Sequence, residues 1–111
     1  MVGHTGSLEA TIIGVEAVDL ALNRLLPVID KSGSILVITA DHGNADEMLE
    51  MNKKGKTAVR TAHSLNQVPF IIYNADVEME EGEFGLSNVA ATVAKLMGLE
   101  PNANWDKAMI K

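Results

Sequence analysis

The sequence predicts an α/β fold with a mostly parallel sheet. Three observations carry that expectation. The elements alternate as helix, strand, long loop, strand, helix, which is the pattern of layered α/β packing. Both strand candidates are near-continuous apolar runs rich in β-branched residues, as in strands covered on both faces. Apolar residues make up 47% of the 111 positions, enough for a packed core, and charged residues 22%.

The first element is a long helix. Ser7 can cap its first turn, and Glu9 lies favourably against the helix dipole. Leu8, Ile12, Ile13, Val15, Ala17, Leu20, Leu22 and Leu25 give a broad apolar face at helical spacing. The pattern runs to about Asp30, and Ser32-Gly33 stop it. Pro27 is positioned to end or kink the helix a turn earlier. The first strand is Ser34 to Ala40 (SILVITA). The second is Val68 to Tyr73 (VPFIIY), with Pro69 tolerable near a strand start. A second helix is predicted over Leu86 to Met97, ended by Gly98. The acidic stretch Asp76, Glu78, Glu80, Glu81 and Glu83 reads as a solvated turn. Two strands make a sheet too small to cover both helices, so the chain reads as part of a larger fold.

Composition narrows the function. Nine Lys+Arg against fifteen Asp+Glu leave a net charge of −6. A general nucleic-acid or anionic-membrane binder needs a basic face, so neither partner is expected. A small anionic substrate remains compatible, because bound metal ions can supply local positive charge. The absence of cysteine removes disulfides, thiolate metal sites and cysteine nucleophiles. No apolar run approaches the roughly 20 residues of a transmembrane helix. The first ten residues lack the pattern of a secretory signal, so a cytoplasmic location is the default expectation.

The residues with chemistry sit at element boundaries. Asp41-His42-Gly43-Asn44 follows the first strand directly. Ligands of parallel α/β sheets bind at the carboxyl ends of strands. A bend at Gly43 would let Asp41 and His42 reach one polar centre; a polar turn closing the strand explains the same four residues. His4 lies in Gly-His-Thr-Gly before the first helix, and His63 in Thr-Ala-His-Ser before the second strand. Three imidazoles and a carboxylate suit manganese, zinc or iron, while isolated loop histidines more often serve as surface or hydrogen-bonding groups. Spacing alone leaves both readings open. Lys53, Lys54, Lys56 and Arg60 make the intervening loop basic, which reads as a solvated loop or hairpin. Arg60, with its forked guanidinium, is a weak candidate for contact with a substrate phosphate. No dinucleotide fingerprint, P-loop or nucleophile elbow occurs.

Together these segments resemble the cofactor-independent phosphoglycerate mutases of the alkaline phosphatase superfamily. Val37 to Ala45 (VITADHGNA) is similar to that family's metal-binding signature. Met1 to Gly6 (MVGHTG) resembles its NPDMVGHTG stretch, and Leu8 to Thr11 and Val15 to Asp19 the helix that follows. Thr61-Ala-His-Ser with Val68-Pro-Phe resembles its TAHT…VPF segment, and Leu86 to Leu99 its closing helix. DHGN is common to the superfamily; the combination points to the mutases. The resemblance implies a partial three-layer α/β/α fold and interconversion of 3-phosphoglycerate and 2-phosphoglycerate in glycolysis. It implies two divalent metal ions, most often Mn2+, a phosphoserine intermediate and no bisphosphoglycerate. Carried over by residue, His4 and His63 would bind one ion, and Asp41 and His42 the other.

The same resemblance makes residues 1–111 the C-terminal part of the metal-binding phosphatase domain. The family's nucleophilic serine, two further aspartate ligands and its substrate-binding domain have no counterpart in this sequence. The isolated chain is therefore expected to be inactive and the full-length parent to be a monomer, while the fragment could self-associate through an open sheet edge. Two other readings are a different superfamily member, such as a phosphopentomutase or metal-dependent phosphatase, and a non-catalytic metal-binding α/β domain.

Overall fold

A computed structural model describes residues 1–111 as two compact units, Met1–Asn74 and Ala75–Lys111. The first opens with a 3-10 turn at Val2–Thr5 and continues into α1, Leu8–Ser32. Ser7 caps α1 as expected: its backbone is extended and its hydroxyl accepts from the Ala10 amide at 3.3 Å. Pro27 sits inside the helix without ending it. The stop comes at Gly33, whose φ of 67° is the left-handed conformation that glycine adopts without strain. The Gly33 amide then bonds Asp30 O and the Ser34 amide bonds Ile29 O, closing the last turn. The apolar residues of α1 are largely exposed, with Ile13 at 65% and Leu20 at 64%. The sheet of this chain does not cover them, in line with the small sheet expected.

Four short strands follow: β1 (Leu36–Thr39), β2 (Leu49–Met51), β3 (Thr57–Val59) and β4 (Phe70–Tyr73). β1 pairs with β4, Leu36 opposite Tyr73 and Thr39 opposite Phe70. The pairing is antiparallel, which corrects the expectation of a mostly parallel sheet for the strands present here. Continuous apolar runs report which faces are dry, not which way a strand runs. With both runs in the right place, direction is set by the connection. The chain leaves the end of β1, folds through β2 and β3, and re-enters at the same end of the sheet. The strands are also half-buried rather than covered on both faces, Ile71 being 50% exposed. Of the two forms open to the basic segment, solvated loop or hairpin, the structure takes the hairpin: β2 pairs with β3, Leu49 opposite Val59. At the far end of the sheet, Tyr73 Oη donates to Asp30 Oδ1 at 2.7 Å, which ties β4 to the last turn of α1. That carboxylate raises the phenol's pKa by stabilising its protonated form.

In the second unit a 3-10 turn at Leu86–Asn88 leads into α2, Val89–Leu96. The predicted helix therefore begins as a tighter turn. Asn88 explains the start: its Oδ1 accepts from the Gly85 amide at 2.8 Å and its Nδ2 donates to Lys107 O at 2.9 Å. The acidic stretch is more than a solvated turn. Met79 bridges Ile110 in antiparallel fashion, the Glu80 amide bonds Met109 O, and Lys111 pairs with Glu78. The pin of this unit is Thr92, fully buried on α2. Its hydroxyl donates to Asn88 O at 2.8 Å and accepts from the Met109 amide at 2.9 Å. Thr92→Val keeps the shape and leaves a buried amide without a partner. It is expected to destabilise this unit by about 1–3 kcal/mol. Urea unfolding, with hydrogen exchange reporting lost protection at Met109, checks it.

Candidate metal centre

The site is built where the first 3-10 turn, the loop after β1 and the loop after β3 meet. The approach depends on two glycines. Gly3 is buried, and a Cβ there would run into the Asn44 carboxamide. A Cβ on Gly43 would collide with Ser64 Oγ and lie 2.8 Å from Asp46 Oδ1. Neither position accepts a side chain without moving a neighbour.

Across these gaps the polar groups pair closely. The Ser64 amide bonds Gly43 O at 2.9 Å, forming an isolated antiparallel bridge. Asn44 Nδ2 donates to Ala62 O at 3.0 Å and Thr61 O at 3.4 Å. Asp46 Oδ2 accepts from Ser64 Oγ at 2.8 Å and Asn66 Nδ2 at 2.7 Å. Those two bonds, Asn66 foremost, favour the carboxylate and hold the Asp46 pKa below its ordinary value. At the hairpin base the Arg60 amide bonds Met48 O at 2.8 Å, and its guanidinium reaches Glu47 Oε1 at 3.3 Å.

This frame gathers all three histidines. His4, His42 and His63 each offer a ring nitrogen, and these atoms lie within 4.8 Å of one another. His42 and His63 stack with centroids 3.5 Å apart and planes inclined by 10°, and His4 is tilted against both at 5.5 and 5.1 Å. His4 Nδ1 lies 2.8 Å from Thr61 O, and His42 Nδ1 lies 3.1 Å from Gly43 O. A carbonyl only accepts, so both rings carry a proton on Nδ1, which leaves the Nε2 lone pair as the atom that could ligate a metal. Asp41 Oδ1 lies 3.7 Å from His42 Nε2, on a side chain that is 89% exposed. The residues singled out from sequence as ligands are thus close together. Arg60 is placed differently: its guanidinium is engaged by Glu47 and by His63 O.

Three imidazoles within one coordination diameter, with a carboxylate beside them, form a donor set that divalent first-row metals accept. The profile of the metalloenzyme superfamily matches residues 1–101. The chain belongs to that superfamily. Among relatives, it is 40% identical to the 2,3-bisphosphoglycerate-independent phosphoglycerate mutase of Trypanosoma brucei brucei, over 100% of this chain and 23% of the relative. It is 42% identical to that of Roseobacter denitrificans, over 99% and 21%. The crystal structure of Leishmania mexicana phosphoglycerate mutase at low cobalt concentration matches with a TM-score of 0.89 at 40% identity, over 99% of this chain and 23% of that one. The chain therefore spans less than a quarter of these relatives' length and matches a fragment of the alkaline-phosphatase-like fold.

The sequence by itself gives no individual role to Asn44, Asp46, Glu47, Ser64 and Asn66. Only their neighbourhood to Asp41-His42 and to His63 marks them. Gly43→Ala is expected to separate Ser64 from Asp46 and to abolish hydrogen-exchange protection of the Ser64 amide. Retained protection at that amide would refute the close-approach argument. Because the Asp46 pKa is lowered in the fold, its contribution is fully present above the ordinary carboxylate value. It disappears as pH falls through the lowered value. The acid limb of stability should therefore shift in Asp46→Asn, which an acid titration followed by circular dichroism can read.

Proposed function

We propose that this metalloenzyme-superfamily chain carries metal ligands of a cofactor-independent phosphoglycerate mutase. In this reading His4 and His63 bind one ion, and Asp41 and His42 bind a second beside it. The observation that carries the proposal is the convergence of the three imidazoles within 4.8 Å, with the Asp41 carboxylate 3.7 Å from His42 Nε2. His42 lies next to both the other imidazoles and the carboxylate, as two adjacent ions would require. The identity to mutases over the whole chain supports the substrate class. Manganese fits a mixed imidazole and carboxylate set.

Metal ions at such a site activate an attacking oxygen and stabilise charge on a transferring phosphoryl group. The chain's own part is to hold the ligands in place. The Thr61 and Gly43 carbonyls fix the tautomers of His4 and His42, and the Gly43–Ser64 bridge keeps the two ligand loops together. Interconversion of 3-phosphoglycerate and 2-phosphoglycerate belongs, on this proposal, to the longer protein, acting in the cytoplasm in glycolysis. The isolated 111-residue chain is proposed to lack turnover.

Two measurements test the reading. Manganese titration of the chain at neutral pH, followed by electron paramagnetic resonance, should show binding that weakens at least ~10-fold in His42→Ala. Binding should also fail in mild acid, where protons compete for the imidazoles. In the full-length protein His42→Ala should abolish mutase turnover; normal turnover in that variant would sink the assignment.

A further inference from the structure

We propose that Arg60 is a positioning residue for the metal centre and not a contact for the substrate phosphate. The inference rests on the metal reading above and assigns a role to a side chain that reading leaves out. Arg60 spans the two loops that carry ligands. Nη1 reaches Glu47 Oε1 on the segment after Asp41 and His42, and Nη2 donates to the main-chain carbonyl of His63 itself, each at 3.3 Å. Its amide is anchored to Met48 O, and Met48 is buried at 4% exposure.

The other two imidazoles are each held by a carbonyl at Nδ1: His4 by Thr61 and His42 by Gly43. His63 is held instead through its backbone, by Arg60 at its carbonyl and by the Ser64 amide bonded to Gly43 O on the following residue. Arg60 thus fixes where the third imidazole can stand.

Two observations separate this role from phosphate binding. Glu47 already neutralises the guanidinium in an ion pair, so an incoming phosphate would have to displace a carboxylate. Arg60 Nε is buried without a partner, and the side chain is only 28% exposed. The edge of the fork carrying Nε, which a bidentate phosphate could use, is therefore closed to solvent. A lysine would keep the charge but could not bond Glu47 and His63 O in the same forked geometry.

The experiment compares wild type, Arg60→Lys and Glu47→Gln by manganese titration of the 111-residue chain. Circular dichroism and the Ser64 amide protection verify folding. Loss of an outer group that orients a ligand typically weakens metal binding about 10–100-fold. Arg60→Lys is expected in that range, with Glu47→Gln in the same direction because it releases the guanidinium. The double variant should be no worse than Arg60→Lys alone, since the two act through one contact. The His63 ring resonances should shift in both single variants, a change that a purely global effect on stability would not confine to that ring. In the full-length enzyme, the manganese concentration for half-maximal activity should rise while KM at saturating metal stays at the wild-type value.

Metal affinity within twofold of wild type in a folded Arg60→Lys overturns the inference. So does a raised KM with unchanged metal affinity, which would make Arg60 a substrate contact. If the wild-type chain binds no metal at all, the metal reading and the inference fall together; if it binds and only the Arg60 variants behave as wild type, the inference alone falls.

Discussion

The close approach of Gly43 to Ser64 is the constraint on which the centre depends. One histidine-bearing loop follows β1 and the other follows β3; the Ser64 amide bonds Gly43 O between them, and a Cβ at position 43 would collide with the Ser64 hydroxyl and crowd the Asp46 carboxylate. Asp46 then uses the space, accepting from both Ser64 and Asn66. Its carboxylate is matched to donors on the opposite loop, so the contact is polar and specific in register. Asn44 repeats the device two residues before Asp46, reaching Thr61 and Ala62 while leaving room only for Gly3. Three segments far apart in sequence are joined by hydrogen bonds whose geometry tolerates little displacement.

Antiparallel pairing of β1 and β4 serves the same end. Because the segment from Ala40 to Pro69 leaves and returns at one end of the sheet, its two histidine-bearing ends are neighbours before any side chain is considered. The β2–β3 hairpin takes up the excess chain and carries Lys53, Lys54 and Lys56 on exposed positions at its tip. The imidazole cluster thus rests on main-chain geometry, with side-chain bonds refining it.

The second unit is organised by a different device. A threonine on α2 satisfies a backbone amide of the C-terminal segment in a place from which water is excluded. Buried polar groups are costly unless paired, so Thr92 and Met109 specify one another's positions. The pairing of residues 78–80 with 109–111 gives the acidic stretch a structural part as well as a solvated face.

Local features of the sequence determined the elements. Ser7 and Gly33 bound α1 because one supplies a capping oxygen and the other a left-handed residue. Within the apolar runs at 34–40 and 68–73, Leu36–Thr39 and Phe70–Tyr73 form strands because β-branched and aromatic residues favour extended backbone. The candidate ligands were legible too, since His4, Asp41, His42 and His63 all fall at element boundaries in recognisable short motifs. Tertiary structure decided the rest. Strand direction depends on where the connecting loop returns, and hydrophobic pattern carries no trace of that. The work of Asp46, Asn44 and Ser64 depends on loops 18 or more residues apart meeting within 3 Å, a relation that spacing along the chain does not encode. Arg60 carried the same ambiguity: in sequence a forked cation in a basic loop, in the fold a side chain already engaged by a carboxylate and a carbonyl. Its charge was readable from residue type, but its partner followed only from the way the hairpin base closes.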